Sequence, residues 1–137
     1  MSTSCTHRIF KASRRDDVKS VRRLQKLLIK SRAAKLLAVR RVTQDNQGRK
    51  TAGVDGIKLL TPKQRFALTD KIKLGSKVAP TRRVWIPKPG KEEKRPLGIP
   101  TMDDRALQAL VKLGLEPEWE ARNEAKFPRV WFRTLMS

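Results

Sequence analysis

Six basic side chains lie between Arg82 and Arg95: Arg82, Arg83, Lys88, Lys91, Lys94 and Arg95. Cations at this density repel one another unless an anion sits among them, and a phosphate, with several acceptor oxygens, suits ammonium and guanidinium donors alike. Adjacent Asp103 and Asp104 raise the idea of a divalent-metal site. Metal-bearing carboxylates of phosphoryl transfer must converge on the ion, whereas Thr101-Met102-Asp103-Asp104 has the form of a helix start, where first-turn acids cap amides and complement the dipole. No catalytic or metal-ligating residue is therefore assigned. Cys5 and His7 are the lone cysteine and histidine, too few for a zinc site or an internal disulfide, and a single thiol suits a reducing compartment.

A second basic run lies upstream. Between Arg14 and Arg41 eleven side chains are basic and only Asp16 and Asp17 are acidic. A helix face that merely meets water mixes signs to gain i,i+4 pairs; this one repels itself. Arg22, Arg23, Lys26, Lys30, Arg32, Lys35, Arg40 and Arg41 are accordingly candidate phosphate contacts, with Arg49 and Lys50 in the following glycine-rich loop. The whole chain points the same way: 33 Lys and Arg against 13 Asp and Glu give +20 over 137 residues, well beyond the ~2–8 charges that solubility requires. Nucleic acid is the expected partner, RNA first and DNA second. No apolar run approaches the ~20 residues of a membrane span, and no apolar stretch follows the start as in a secretory signal.

The elements that must carry these cations can be read in order. Residues 1–15 show no periodicity and are expected to be disordered. From 16 to 80 the pattern is helical: Asp16 or Asp17 caps, Val18, Val21, Leu24 and Leu28 recur at helical spacing, the register slips near Ser31, and the helices end near Gln44 before the turn residues Asp45, Asn46 and Gly48. GRKTAGVDG (48–56) is a loop without the spacing of a Walker motif. Thr61-Pro62-Lys63-Gln64 predicts a capping box, with Phe66 and Ile72 as core contacts of its helix. Over 81–122, Val84 and Ile86 alternate with Arg83 and Trp85, and Leu97 and Ile99 answer them, predicting a hairpin of short, proline-edged strands. A helix follows from Thr101, with Leu107, Leu110, Val111 and Leu115 as its buried stripe; Gly114 and Pro117 are expected to bend its path, and Trp119 with Ala121 to continue a short terminal helix.

LQKLL, AVRRVTQDNQGRKTAGVDG, RRVWIPKPG and RPLGIPTMDDRALQALVKLGLEPEWEAR, in that order across residues 18–122, resemble the N-terminal and fingers segments of group II intron reverse transcriptase/maturases. The resemblance implies an α+β fold: N-terminal basic helices, a small antiparallel β-hairpin of the fingers and a following helix, together an incomplete reverse-transcriptase fold. It implies a 48–56 lid that touches template RNA. It also implies fingers cations, here Arg82, Arg83, Lys88 and Arg95, that grip nucleotide and template phosphates. Mg2+ belongs to the intact family enzyme; no cofactor is expected of this stretch alone.

After Arg122 the resemblance stops. Residues 123–137 diverge from the Tyr-Gly-Phe-Arg-Pro-Gly block expected there, yet Val130-Trp131-Phe132-Arg133 written as GTA-TGG-TTT-CGN reads Tyr-Gly-Phe when shifted by one nucleotide. The expectation is a frameshifted or truncated reading frame. The expected function is RNA binding, to intron or template, without the polymerase site, in a cytosol or organelle interior, with a palm-containing chain in trans as a further partner. Two alternatives stand beside it: a stand-alone basic RNA-binding or ribonucleoprotein-assembly protein, and a decayed frame without function.

Overall fold

The computed structural model describes residues 2–75 and 77–124; of the divergent stretch 123–137, residues 125–137, which carry the proposed frameshift, lie outside them. The chain divides into two compact units, one built from the residues up to Lys35 and those from Leu110 onward, the other from Leu36–Ala109. Among the described residues the arrangement is α+β, with five α-helices and a two-stranded antiparallel sheet.

In the first unit, α1 (Ser2–Arg14) occupies the stretch expected to be disordered. That expectation fails because tertiary packing, not local propensity, orders the segment. Ile9 and Ala12 are buried, Ser13 Oγ donates to the Glu118 carbonyl at 3.0 Å, and Cys5 Sγ to the Leu24 carbonyl at 3.7 Å. The helix closes with Asp16 at φ 55°. Asp17 N donates to Ala12 O (3.0 Å) and Asp16 N to Ser13 O (3.1 Å), the paired bonds of a Schellman stop with aspartate where glycine is usual. Asp17 at once caps α2 (Val18–Lys30), its carboxylate accepting from Ser20 N (3.2 Å) and Ser20 Oγ (2.6 Å). Val21, Leu24 and Leu28 are buried, while Val18, in the first turn, stays exposed. Ser31, extended, separates α2 from α3 (Arg32–Arg40).

The short terminal helix expected after Gly114 and Pro117 is not separate: α5 runs as one helix from Met102 to Glu124 with Pro117 inside it. Pro117 lacks the amide that would bond the Leu113 carbonyl. One residue on, Gln25 Nε2 donates to the Gly114 carbonyl (3.1 Å) and to Glu118 Oε2 (2.8 Å), so α2 supports the turn that the proline weakens. The buried line is Met102, Ala106, Leu110, Leu113 and Ala121, and Leu115 is exposed.

In the second unit, α3 passes into a single π turn, Arg41–Asp45, in which Thr43 Oγ1 donates to the Val39 carbonyl (2.6 Å), and then a 3-10 turn, Gln47–Lys50. The capping box forms as read: α4 (Pro62–Lys71) starts with Gln64 N donating to Thr61 Oγ1 (3.3 Å) and Thr61 N to Gln64 Oε1 (2.9 Å). Leu68, Thr69 and Ile72 are buried, but Phe66 is 56% exposed and is not a core contact. Strands β1 (Arg82–Pro87) and β2 (Lys94–Ile99) pair antiparallel, Val84 opposite Leu97 and Ile86 opposite Arg95.

Candidate nucleic-acid interface

The α2 cations are presented by a simple division of the helix. With Val21, Leu24 and Leu28 buried, Arg22, Arg23, Lys26 and Lys30 are all left exposed. Arg22, Lys26 and Lys30 recur every four residues and so form one ridge. Beyond the helix, Arg32 is exposed and Lys35 half-buried.

The remaining cations belong to the second unit. Arg40 lies 3.8 Å from Asp45, with both side chains mostly in solvent, a pairing of small energetic weight. Arg41 and Lys50 are exposed, and Arg49 donates to the Gln44 carbonyl at 2.7 Å. In the hairpin the register separates residues that the sequence places together. Arg82, Val84 and Ile86 share a face with Arg95, Leu97 and Ile99; Arg83 and Trp85 share the other with Lys94 and Pro96. Lys88 belongs to neither face: it lies in the turn, half-buried, its Nζ 2.9 Å from Glu93 Oε2. The four fingers cations therefore form no single cluster. Trp85, 56% exposed between Arg83 and Lys94, adds an aromatic surface of the kind on which unpaired bases stack.

The 48–56 loop is held by a residue that the sequence reading passed over. Arg105 sends Nε to the Pro100 carbonyl (2.9 Å), one terminal nitrogen to the Gly48 carbonyl (3.0 Å) and the other to Thr51 (2.6 Å). Desolvation pulls its pKa down, opposed by the charge of Asp55, yet a guanidinium stays protonated at any working pH. Gly53 closes the same contact, since a Cβ there would meet Thr101 Cα at 2.8 Å and Pro100 O at 2.9 Å. The available signal was positional: Arg105 is a lone cation beside the buried Met102 and Ala106, four residues after a helix cap.

Asp103 and Asp104 are both engaged at the start of α5. Asp104 Oδ2 accepts from Ala79 N (3.0 Å) and Thr101 Oγ1 (3.1 Å), and Asp104 N donates to Thr101 Oγ1 (3.3 Å). Asp103 pairs with Lys71, whose ammonium pKa is raised first by that hydrogen bond and then by the carboxylate charge. Their roles are those of a cap and an ion pair.

Residues 3–72 match the family described as the N-terminal domain of reverse transcriptase. The chain is 37% identical over 125 residues to Maturase-like protein 1 of Euglena gracilis, a match covering 83% of this chain and 25% of that protein. It is 36% identical over 106 residues to Protein YkfC of Escherichia coli (strain K12), covering 72% of this chain and 28% of that one. The chain thus spans about a quarter of the length of these curated relatives. A family match over half the chain, on helices whose basic faces are turned outward, places the protein in the reverse-transcriptase N-terminal-domain family, as an N-terminal region of the reverse transcriptase/maturase kind.

Proposed function

We propose that this chain is the RNA-gripping N-terminal part of a group II intron reverse transcriptase/maturase, engaging intron or template RNA through its phosphates. The observation that carries the reading is α2, where Arg22, Arg23, Lys26 and Lys30 are exposed while the apolar stripe is buried. In the second unit, by the family resemblance, the 48–56 loop pinned by Arg105 would touch template RNA and the hairpin cations Arg82, Arg83, Lys88 and Arg95 would meet nucleotide and template phosphates. The polymerase step requires carboxylates and Mg2+ that a palm-containing segment or chain supplies; the 137 residues here hold no tyrosine and hence no Tyr-Ala-Asp-Asp.

The test is the salt dependence of RNA affinity. Each phosphate neutralised on a single strand contributes about −0.7 to the slope of log affinity against log salt, so six contacts give roughly −4. Replacing Arg22, Arg23, Lys26 and Lys30 by Gln should make the slope shallower and weaken all RNAs alike. An affinity that ignores salt, or a loss confined to one RNA, would show that bases or shape are read instead.

A further inference from the structure

The corner between α1 and α2 encloses a cleft of about 200 Å3 lined by Arg8, Lys11, Ala12, Arg15, Ser20, Arg23 and Leu24. Arg8, Lys11 and Arg15 follow at steps of three and four, and so lie along one side of α1 and its C-terminal extension. Ser20, Arg23 and Leu24 face them from the first two turns of α2. The Schellman stop at Asp16 and the cap at Asp17 turn the chain within two residues, which is what sets the two rows opposite each other.

Four cations thus share one small concavity. Among the described residues none of the four is ion-paired. Asp17 feels two of them: its carboxyl is held below the ordinary range first by its Ser20 hydrogen bonds and then by the charges of Arg15 and Arg23. Because Ser20 Oγ already donates to Asp17, the donors left for a guest are the cations. The apolar lining residues Ala12 and Leu24 are buried, while Arg8, Lys11, Arg15 and Arg23 are exposed, so the four charges stay open to a polyanion arriving from solvent.

We infer that this cleft seats one backbone phosphate of RNA, held jointly by Arg8, Lys11, Arg15 and Arg23. The volume is below the ~300–1,000 Å3 of small-molecule sites, which suits a single group on a larger polyanion better than a whole nucleotide. The site rests on the RNA-binding reading above but differs from the α2 ridge in kind. The ridge spreads its charges along the strand, whereas the cleft converges its charges on one point.

That difference is measurable. In the full chain, the triple variant Arg8→Gln, Lys11→Gln, Arg15→Gln is compared with wild type on a 20-nucleotide single-stranded RNA by fluorescence anisotropy across a salt series. If the three cations share one phosphate, affinity falls about tenfold or more, as expected for charge-assisted bonds lost together. The slope magnitude then falls by only about 0.7. Three cations on separate phosphates would instead reduce it by about 2, and that result overturns the cleft. So does a triple variant that binds as wild type does while wild type keeps its steep slope, which leaves the RNA-binding reading intact. So does an equal loss from Arg14→Gln with Lys19→Gln, two corner cations outside the cleft. Wild type with no salt-dependent RNA affinity would sink both readings, and a loss confined to anionic vesicles would assign the cleft to a lipid surface and overturn it for RNA. Far-UV helicity and melting of the triple variant confirm that the corner still folds.

Discussion

Arg105→Lys keeps the charge and removes the geometry. Its guanidinium spans the Pro100, Gly48 and Thr51 carbonyls at 2.6–3.0 Å, and a single ammonium reaches one of them well. Two charge-assisted hydrogen bonds are lost, each worth about 1.5–3 kcal/mol when shielded. Gly48 and Thr51 are only half-buried, so water replaces part of the loss and about 1 kcal/mol each is reasonable. The total of ~2 kcal/mol is a large share of a typical 5–15 kcal/mol stability and corresponds to a fall in melting temperature of about 8 °C for a chain of this size. Differential scanning calorimetry reads the melt, and hydrogen exchange at Lys50–Val54 reads the loop. The loop amides should lose protection more than those of α2. An unchanged melting temperature with unchanged exchange at Lys50–Val54 would refute the idea that this arginine holds the loop.

Other substitutions probe the remaining joints. Gly53→Ala forces a Cβ to 2.8 Å from Thr101 Cα; since backbone cannot yield as a side chain can, we expect a cost of about 1–3 kcal/mol in urea unfolding. Asp16→Gly relieves a positive φ of 55° and should stabilise by ~0.5–1 kcal/mol, seen as a higher melting temperature. Asp17 has a folded-state pKa depressed first by its Ser20 bonds, so its contribution to α2 is complete above the ordinary Asp value of about 3.9. It is lost as pH falls through the lower folded value; an acid titration of helicity should show that step in wild type and not in Asp17→Asn. Purified chain alone should give no primer extension, and incorporation above an empty-vector control would overturn the assignment of its cations to binding only.

What could be read ahead of the structure was whatever depends on neighbours in sequence. The Thr61–Gln64 capping box, the α2 stripe at Val21, Leu24 and Leu28, and the alternation of Val84 and Ile86 are local patterns, and each appears in the structure. What could not be read depends on distant partners. Residues 2–14 look featureless until Ser13 meets Glu118, and Pro117 looks like the start of a separate short helix until Gln25 supports the adjoining turn. Phe66 reads as core because it is aromatic, yet α4 buries Leu68 and Thr69 instead. The hairpin cations read as one cluster because they are close in sequence, but a period of two sends neighbours to opposite faces. Arg105 was hidden among many arginines, and only its three carbonyl partners distinguish it.

The bonds that close the first unit join the two ends of the described chain: Gln25 to Glu118 across 93 residues, and Ser13 to Glu118 across 105. All of Leu36–Ala109 is contained between them. At a synthesis rate of about 5–20 residues per second, Gln25 leaves the ribosome roughly 5–20 s before its partner. The middle of the protein can therefore complete itself during translation, while the opening helices wait with their cationic side chains uncovered. In that interval nascent α1 and α2 can meet an RNA emerging nearby, including the transcript being translated, before the fold around them is finished. Vectorial synthesis would then favour capture in cis, and a circular permutant that places α5 ahead of α1 should lose that preference while keeping its equilibrium affinity.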